Sequence, residues 1–260
     1  MEKNMLLAVD IGNSSVDIGV FDGESLLVKT KFSTVQKKCV DEYALTLKGI
    51  LALNGISIES IGNAIISSVV HPLTKTVSAA IRKLTGIIPV EVGPGIKTGL
   101  RIRIDVQNQL GADIVANAVE ATATHEGPVV IVDFGSATTF TVINREGVLD
   151  GVIIAPGVRM SLDALASYTS ALPDISIESP KRLIAKNTNE SMNVGVLYGH
   201  AFMIDGFINK ICGELGEEAV CAIATGGLSE VVLPYCKTDF IYEDDLTLKG
   251  LFRLYKKISK

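Results

Sequence analysis

Val9-Asp10-Ile11-Gly12-Asn13-Ser14 and Val132-Asp133-Phe134-Gly135-Ser136-Ala137 repeat one pattern about half a chain apart. In each, an apolar, β-prone run closes on Asp-x-Gly, a hydroxyl follows, and a second β-prone run begins. Glycine removes the Cβ barrier to close approach, so backbone N–H groups and hydroxyls can converge on an anion such as phosphate. A carboxylate at the strand end can hold a cation or its waters and offset phosphate repulsion. Either turn alone is ordinary hairpin chemistry. The pair points to duplication of one unit, with the two copies packed around a phosphate-binding cleft.

Around the first turn, Met5 to Asp10, Val16 to Phe21 and Ser25 to Lys31 read as an antiparallel meander. Helical spacing over Asp41 to Leu53 and Pro72 to Leu84 alternates with extended runs at Ala64 to Val70 and Ile87 to Val92. The second series has strands at Val129 to Asp133, Thr138 to Ile143 and Val148 to Ile154. Helices follow from about Pro156, Glu190 and Thr247, with a strand at Ala219 to Thr225 before the last. Meanders followed by alternating helix and strand predict an α/β fold in two halves, residues 1–124 and 125–260.

Composition narrows the function. A hydrophobic content of 47% over 260 residues supplies a core without staples. Net charge of -5 and the absence of Trp leave no basic, aromatic face for nucleic acid. Charged residues interrupt every apolar run before the roughly 20 residues that a membrane span needs. Cys39, Cys212, Cys221 and Cys236 show no C-x-x-C spacing, and no charged-then-apolar leader precedes the first strand, which predicts reduced thiols in the cytoplasm.

Further candidates are weaker one by one. Gly226-Gly227 after the strand ending at Thr225 can bring backbone flat against a nucleotide, or simply turn the chain. Asp113 opens a good helix after Gly111-Ala112, either as a carboxylate at the dipole's positive end or as a base accepting the proton of an attacking alcohol. His71, His125 and His200 lack metal-ligand spacing.

Taken in order, these motifs resemble the type III pantothenate kinases, within the superfamily of acetate and sugar kinases, seventy-kilodalton heat-shock ATPases and actin. The matching segments are Asp10 to Ser14, Ser67-Ser68-Val69-Val70, Gly93-Pro94-Gly95-Ile96-Lys97-Thr98-Gly99, Gly111-Ala112-Asp113 and Asp133 to Thr139. Ala155-Pro156-Gly157, Leu172-Pro173, Asn187-Thr188 with Ser191, Gly195 to Gly199, and Thr225-Gly226-Gly227 continue the match.

The resemblance implies a duplicated ribonuclease H-like fold and transfer of the γ-phosphoryl of ATP to pantothenate, the first step towards coenzyme A. It implies nucleotide contacts from Asp10, Ile11, Gly12, Asn13, Ser14, Ser15, Val16, Asp17, Gly135, Ser136, Gly226 and Gly227. Asp113 is implied as the general base, with Ile104, Gly111, Ala112, Ile114 and Thr188 beside the substrate. Asp133 is implied to bind a monovalent cation, potassium or ammonium, and Asp10 the magnesium that accompanies ATP. A homodimer is implied too, with Thr188 contributed across the interface.

Two departures stand out. Where the family carries a Tyr and then Asn-Pro, this chain has Ile104 and Val106-Gln107; where the family has Arg after the Asp, it has Ile114. Isoleucine donates no hydrogen bond to an anionic substrate, and one charge-assisted bond is worth about 1.5–3 kcal/mol. Arg101, Arg103 and Arg159 are the candidate replacements. Three functions follow: an active pantothenate kinase, a nucleotide-binding member that has lost pantothenate, or a kinase of this fold for another hydroxyl.

Overall fold

The computed structural model describes residues 4–259. It divides into two compact units: one runs to Leu100 and takes in Asp105–Ala121 and the chain from Asp245, the other comprises Arg101–Ile104 and Thr122–Asp244.

In the first unit, β1 (Met5–Ile11), β2 (Ser15–Asp22) and β3 (Ser25–Ser33) form the predicted meander. The chain continues through α1 (Val40–Leu53), β4 (Ile61–Ser68), α2 (His71–Thr85) and β5 (Val90–Glu91). The sheet order is β3-β2-β1-β4-β5, with β4 parallel to β1. Val69 and Val70, read as strand, lie beyond β4; Val70 instead precedes α2, where Pro72 is favoured because it gives up no helical donor. Alternation sorts the strands onto two faces. Leu7, Val9 and Ile11 join Leu47, Leu51, Val77 and Ile81 of α1 and α2 in one core.

Leu6 and Ala8 point the other way and meet Ile65, together with Ala116 and Val119 of α3 (Ala112–Thr124). The last helix of the chain, α7 (Leu246–Ile258), presents Leu248, Leu251 and Leu254 to that same face. A Cβ at Gly250 would overlap the backbone of Ala116, so the glycine lets α7 approach α3 closely. The C-terminal helix therefore clusters with the first unit, although it follows the second in sequence.

In the second unit, β6 (Arg101–Ile102), β7 (Val129–Phe134), β8 (Ala137–Ile143) and β9 (Val148–Pro156) are followed by α4 (Val158–Tyr168) and α5 (Thr188–Leu215). Then come β10 (Cys221–Thr225), α6 (Ser229–Val232) and β11 (Ile241–Tyr242). The sheet order is β11-β10-β7-β8-β9-β6. An antiparallel meander whose first strand pairs in parallel with a later one appears in both units, and Asp10 and Asp133 sit near the end of that first strand. The structure thus repeats the unit that the paired turns predicted. The short β6 and β11 went unread, since two-residue strands carry no period to detect.

Candidate active site

The first turn is tied from within and from Thr34, just past β3. The Gly12 N–H donates to the Ser15 carbonyl at 2.9 Å, and a Cβ at Gly12 would come within 3.1 Å of that oxygen. The Thr34 hydroxyl donates to the Gly12 carbonyl at 2.7 Å and the Thr34 N–H to the Ser14 carbonyl at 3.0 Å. Asn13 and Ser14 are left exposed at the tip. Thr34 escaped the sequence reading because its partners, Gly12 and Ser14, lie far from it along the chain.

Asp10 pairs across the sheet with Asp17 of β2 and Ser67 of β4. Asp17 accepts the Ser15 hydroxyl at 2.6 Å. Facing carboxylates on neighbouring strands repel unless a cation or donor is supplied. Ser67 is fully buried and its hydroxyl has no hydrogen-bond partner among the described residues, a state that costs about 1–3 kcal/mol. The described residues contain no cluster of three or more His, Cys, Asp or Glu able to hold a metal ion. Magnesium ordinarily takes one or two carboxylates plus substrate phosphates and water, so the Asp10 row fits an ion that arrives with ATP.

Asp113 sits in the first turn of α3, the helix packed on the face to which Asp10 and Ser67 also belong by alternation. Its carboxylate accepts the Ile114 N–H at 2.8 Å and lies over Gly111, where a Cβ would overlap Asp113 Oδ1. Gly111 is therefore a steric condition of this rotamer, and Ala112 occupies the first position of the helix. Burial pushes the Asp113 carboxyl above its usual value, against the lowering pull of backbone N–H groups. No cation among the described residues pairs with it, and the following residue, Ile114, is itself buried. An arginine at 114 would place a positive charge beside the carboxylate; isoleucine leaves it desolvated and raised.

In the second unit, Gly226 and Gly157 press on the Asp133 turn. Gly226 has φ +92°, and a Cβ there would run into Asp133 Oδ1 and lie 2.7 Å from the Phe134 backbone nitrogen. A Cβ at Gly157 would lie 2.9 Å from the Gly135 carbonyl oxygen and overlap Ser136. The Ser229 hydroxyl bonds the carbonyls of Thr225 at 2.7 Å and Gly226 at 2.8 Å, which holds the loop through Gly227 against the strand. Gly226 and Gly157 are therefore packing requirements of the turn that carries Gly135 and Ser136.

Thr188 begins α5, whose start is capped by the Asn187 side chain accepting the Glu190 N–H at 2.9 Å. It lines an open cavity of about 500 Å³ with Leu165, Leu172, Met192, Ser191 and Lys186. Ile104 is half-buried just past β6. The three arginines that could have replaced the missing cation are engaged within the second unit. Arg103 pairs with Asp150 at 2.5 and 2.6 Å, Arg159 with Asp163 and Asp174, and Arg101 donates to the Glu146 carbonyl. Lys186 enters no ion pair among the described residues, and nothing in its sequence context singled it out. His200 is spent on the carbonyls of Val196 and Pro156.

Solved structures define the fold. Component A of the (R)-2-hydroxyglutaryl-CoA dehydratase of Acidaminococcus fermentans aligns over 98% of this chain and 99% of its own, with TM-score 0.57 and 13% identity. The ROK hexokinase of Thermus thermophilus aligns over 98% and 99%, with TM-score 0.50 and 12% identity. At such identities the likeness concerns architecture alone, the duplicated ribonuclease H-like α/β fold.

The family is set by sequence. The model for type III pantothenate kinase matches residues 6–210, and the type III pantothenate kinase of Pelobacter propionicus is 41% identical over 253 residues, 97% of this chain and 99% of that protein. The chain belongs to the type III pantothenate kinase family.

Proposed function

We propose that the protein transfers the γ-phosphoryl group of ATP to the primary hydroxyl of pantothenate, the first step towards coenzyme A. The observation that carries this reading is Asp113: a carboxylate with no cation partner among the described residues, raised by desolvation, at the start of a helix packed on the Asp10 face of the sheet. Its retention alongside both phosphate turns favours an active kinase over a member that only binds nucleotide.

In the reaction, the pantothenate hydroxyl oxygen forms a bond to the γ-phosphorus, the bond from that phosphorus to the ADP oxygen breaks, and the hydroxyl proton passes to Asp113. A raised carboxyl is better matched to that transfer than one held low by a cation. Magnesium, when bound with ATP, neutralises charge developing on the phosphate oxygens. Asp10, with Asp17 opposite, would hold that ion, while residues Ile11 to Val16 place backbone and hydroxyl donors on the phosphates. Gly135 and Ser136 do the same from the second turn, and Gly226 and Gly227 lie along the nucleoside. Asp133 would hold the monovalent cation, potassium or ammonium. Ile104 supplies apolar contact to the pantothenate chain, Ile114 backs the Asp113 carboxylate as apolar packing, and Thr188 supplies a hydroxyl.

Homodimerisation, with Thr188 contributed by the partner subunit, and a cytoplasmic location complete the proposal. All four cysteines are free, and no helix among the described residues is long and apolar enough to cross a membrane. The deciding experiment is pantothenate-dependent ADP release with ATP, magnesium and potassium, run beside Asp113→Asn. Release that is absent from the parent, or unchanged in the variant, would overturn this assignment.

A further inference from the structure

Ser67 has no role so far. Its side chain is fully buried, its hydroxyl has no partner among the described residues, and it occupies the residue of β4 that pairs with Asp10. Partnered residues on neighbouring strands share a face, and such strands lie about 4.8 Å apart. Asp17, Asp10 and Ser67 therefore form one polar row across β2, β1 and β4.

The neighbours on that face sharpen the anomaly. Two residues earlier in both strands, Ala8 pairs with Ile65 inside an apolar core. A small apolar residue at 67 would continue that packing and bury no unsatisfied donor. Thr138, the other buried hydroxyl without a partner among the described residues, pairs with Phe134 and so shares its apolar face rather than that of Asp133. Of these two unpartnered hydroxyls, Ser67 is the one that stands beside a strand-end carboxylate of the phosphate turns. A hydroxyl is a donor that can serve a carboxylate without adding charge to it.

We infer that Ser67 is a positioning residue for phosphoryl transfer: its hydroxyl donates to the Asp10 carboxylate and holds it in the orientation that receives the hydrated magnesium of ATP. Asp17 closes the row from the other side, with one oxygen already occupied by Ser15. With no protein partner among the described residues, the donor is available to the carboxylate, and its contribution goes to nucleotide binding rather than to folding. This inference rests on the kinase reading for the identity of the nucleotide and its cation.

The test is Ser67→Ala, with Ser67→Thr as the variant that keeps the hydroxyl. Thermal unfolding is measured without ligand, and calorimetry with ATP alone and with ATP plus magnesium. The expected result is Ser67→Ala unfolding at or above the parent temperature, with affinity for magnesium-ATP about tenfold weaker and affinity for metal-free ATP within twofold. Ser67→Thr should restore magnesium-ATP binding.

An equal loss with and without magnesium would overturn the inference, as would no loss at all, which is the result expected if the hydroxyl merely holds a buried water. So would Ser67→Ala unfolding well below the parent, since the hydroxyl would then have a structural partner. A parent that shows the magnesium-dependent difference but phosphorylates no pantothenate would retain the Ser67 role and remove the kinase assignment. A parent that binds no magnesium-ATP removes both.

Discussion

Asp113→Asn separates the chemical role of the site from its architecture. Asparagine is isosteric, and its amide oxygen can still accept the Ile114 N–H that the carboxylate accepts at 2.8 Å. Gly111 leaves room for either group, so the start of α3 should be undisturbed. The proton acceptor is lost, and general-base catalysis is worth about 10²–10⁴ in rate, roughly 3–5 kcal/mol of barrier. Turnover in a coupled ADP assay should fall by that factor, with ATP affinity unchanged.

Stability should move the other way. The folded-state carboxyl is raised by burial, so the ionised form is the costly one. The group's contribution to stability is present in full below the unfolded carboxylate value, about 3.9, and is lost as pH rises through the raised folded value. Asp113→Asn should therefore melt higher than the parent at pH 8, and the gap should close as pH falls towards 4. In the parent, kcat/KM should rise with pH along an acid limb lying above the ordinary carboxylate range. Turnover within threefold of the parent, or a variant less stable than the parent at pH 8, would refute the assignment of Asp113 as a half-buried, desolvated base.

Ile114→Arg should bring the acid limb of that profile to lower pH, because a guanidinium beside Asp113 favours its ionised form; an unmoved limb would deny that residue 114 tunes the carboxylate. Gly226→Ala must adopt φ +92° and push a methyl into Asp133 and the Phe134 backbone. The left-handed conformation alone costs about 1–2 kcal/mol, so melting several degrees below the parent with weaker ATP binding is expected, and parent-like behaviour would contradict the packing of the second turn. Lys186→Ala removes the cation of the Thr188 cavity, the group there able to pair with the carboxylate of pantothenate; KM for pantothenate should rise about tenfold with kcat little changed, and an unaltered KM would show that this cavity does not receive the substrate's carboxylate.

Much of this was readable from local chemistry. The two Asp-x-Gly turns, the meanders around them and the alternation of helix and strand were all predicted, because turn residues and the periods 2 and 3.6 act over short stretches. Their repetition disclosed the duplication that the paired sheet topologies display. The ordered motifs, Asp113 among them, carried the family.

What the tertiary structure decided depends on contacts between residues far apart in sequence. It placed α7 with the first unit, since the stripe of Leu248, Leu251 and Leu254 says that the helix must pack but not against what. It put Ser67 beside Asp10, a matter of strand register that no local pattern encodes. It committed Arg101, Arg103 and Arg159 to partners within the second unit and left Lys186 in the Thr188 cavity. Residue type told which groups could bear charge; their burial and partners, which exist only once the chain is packed, determine which of them do chemistry.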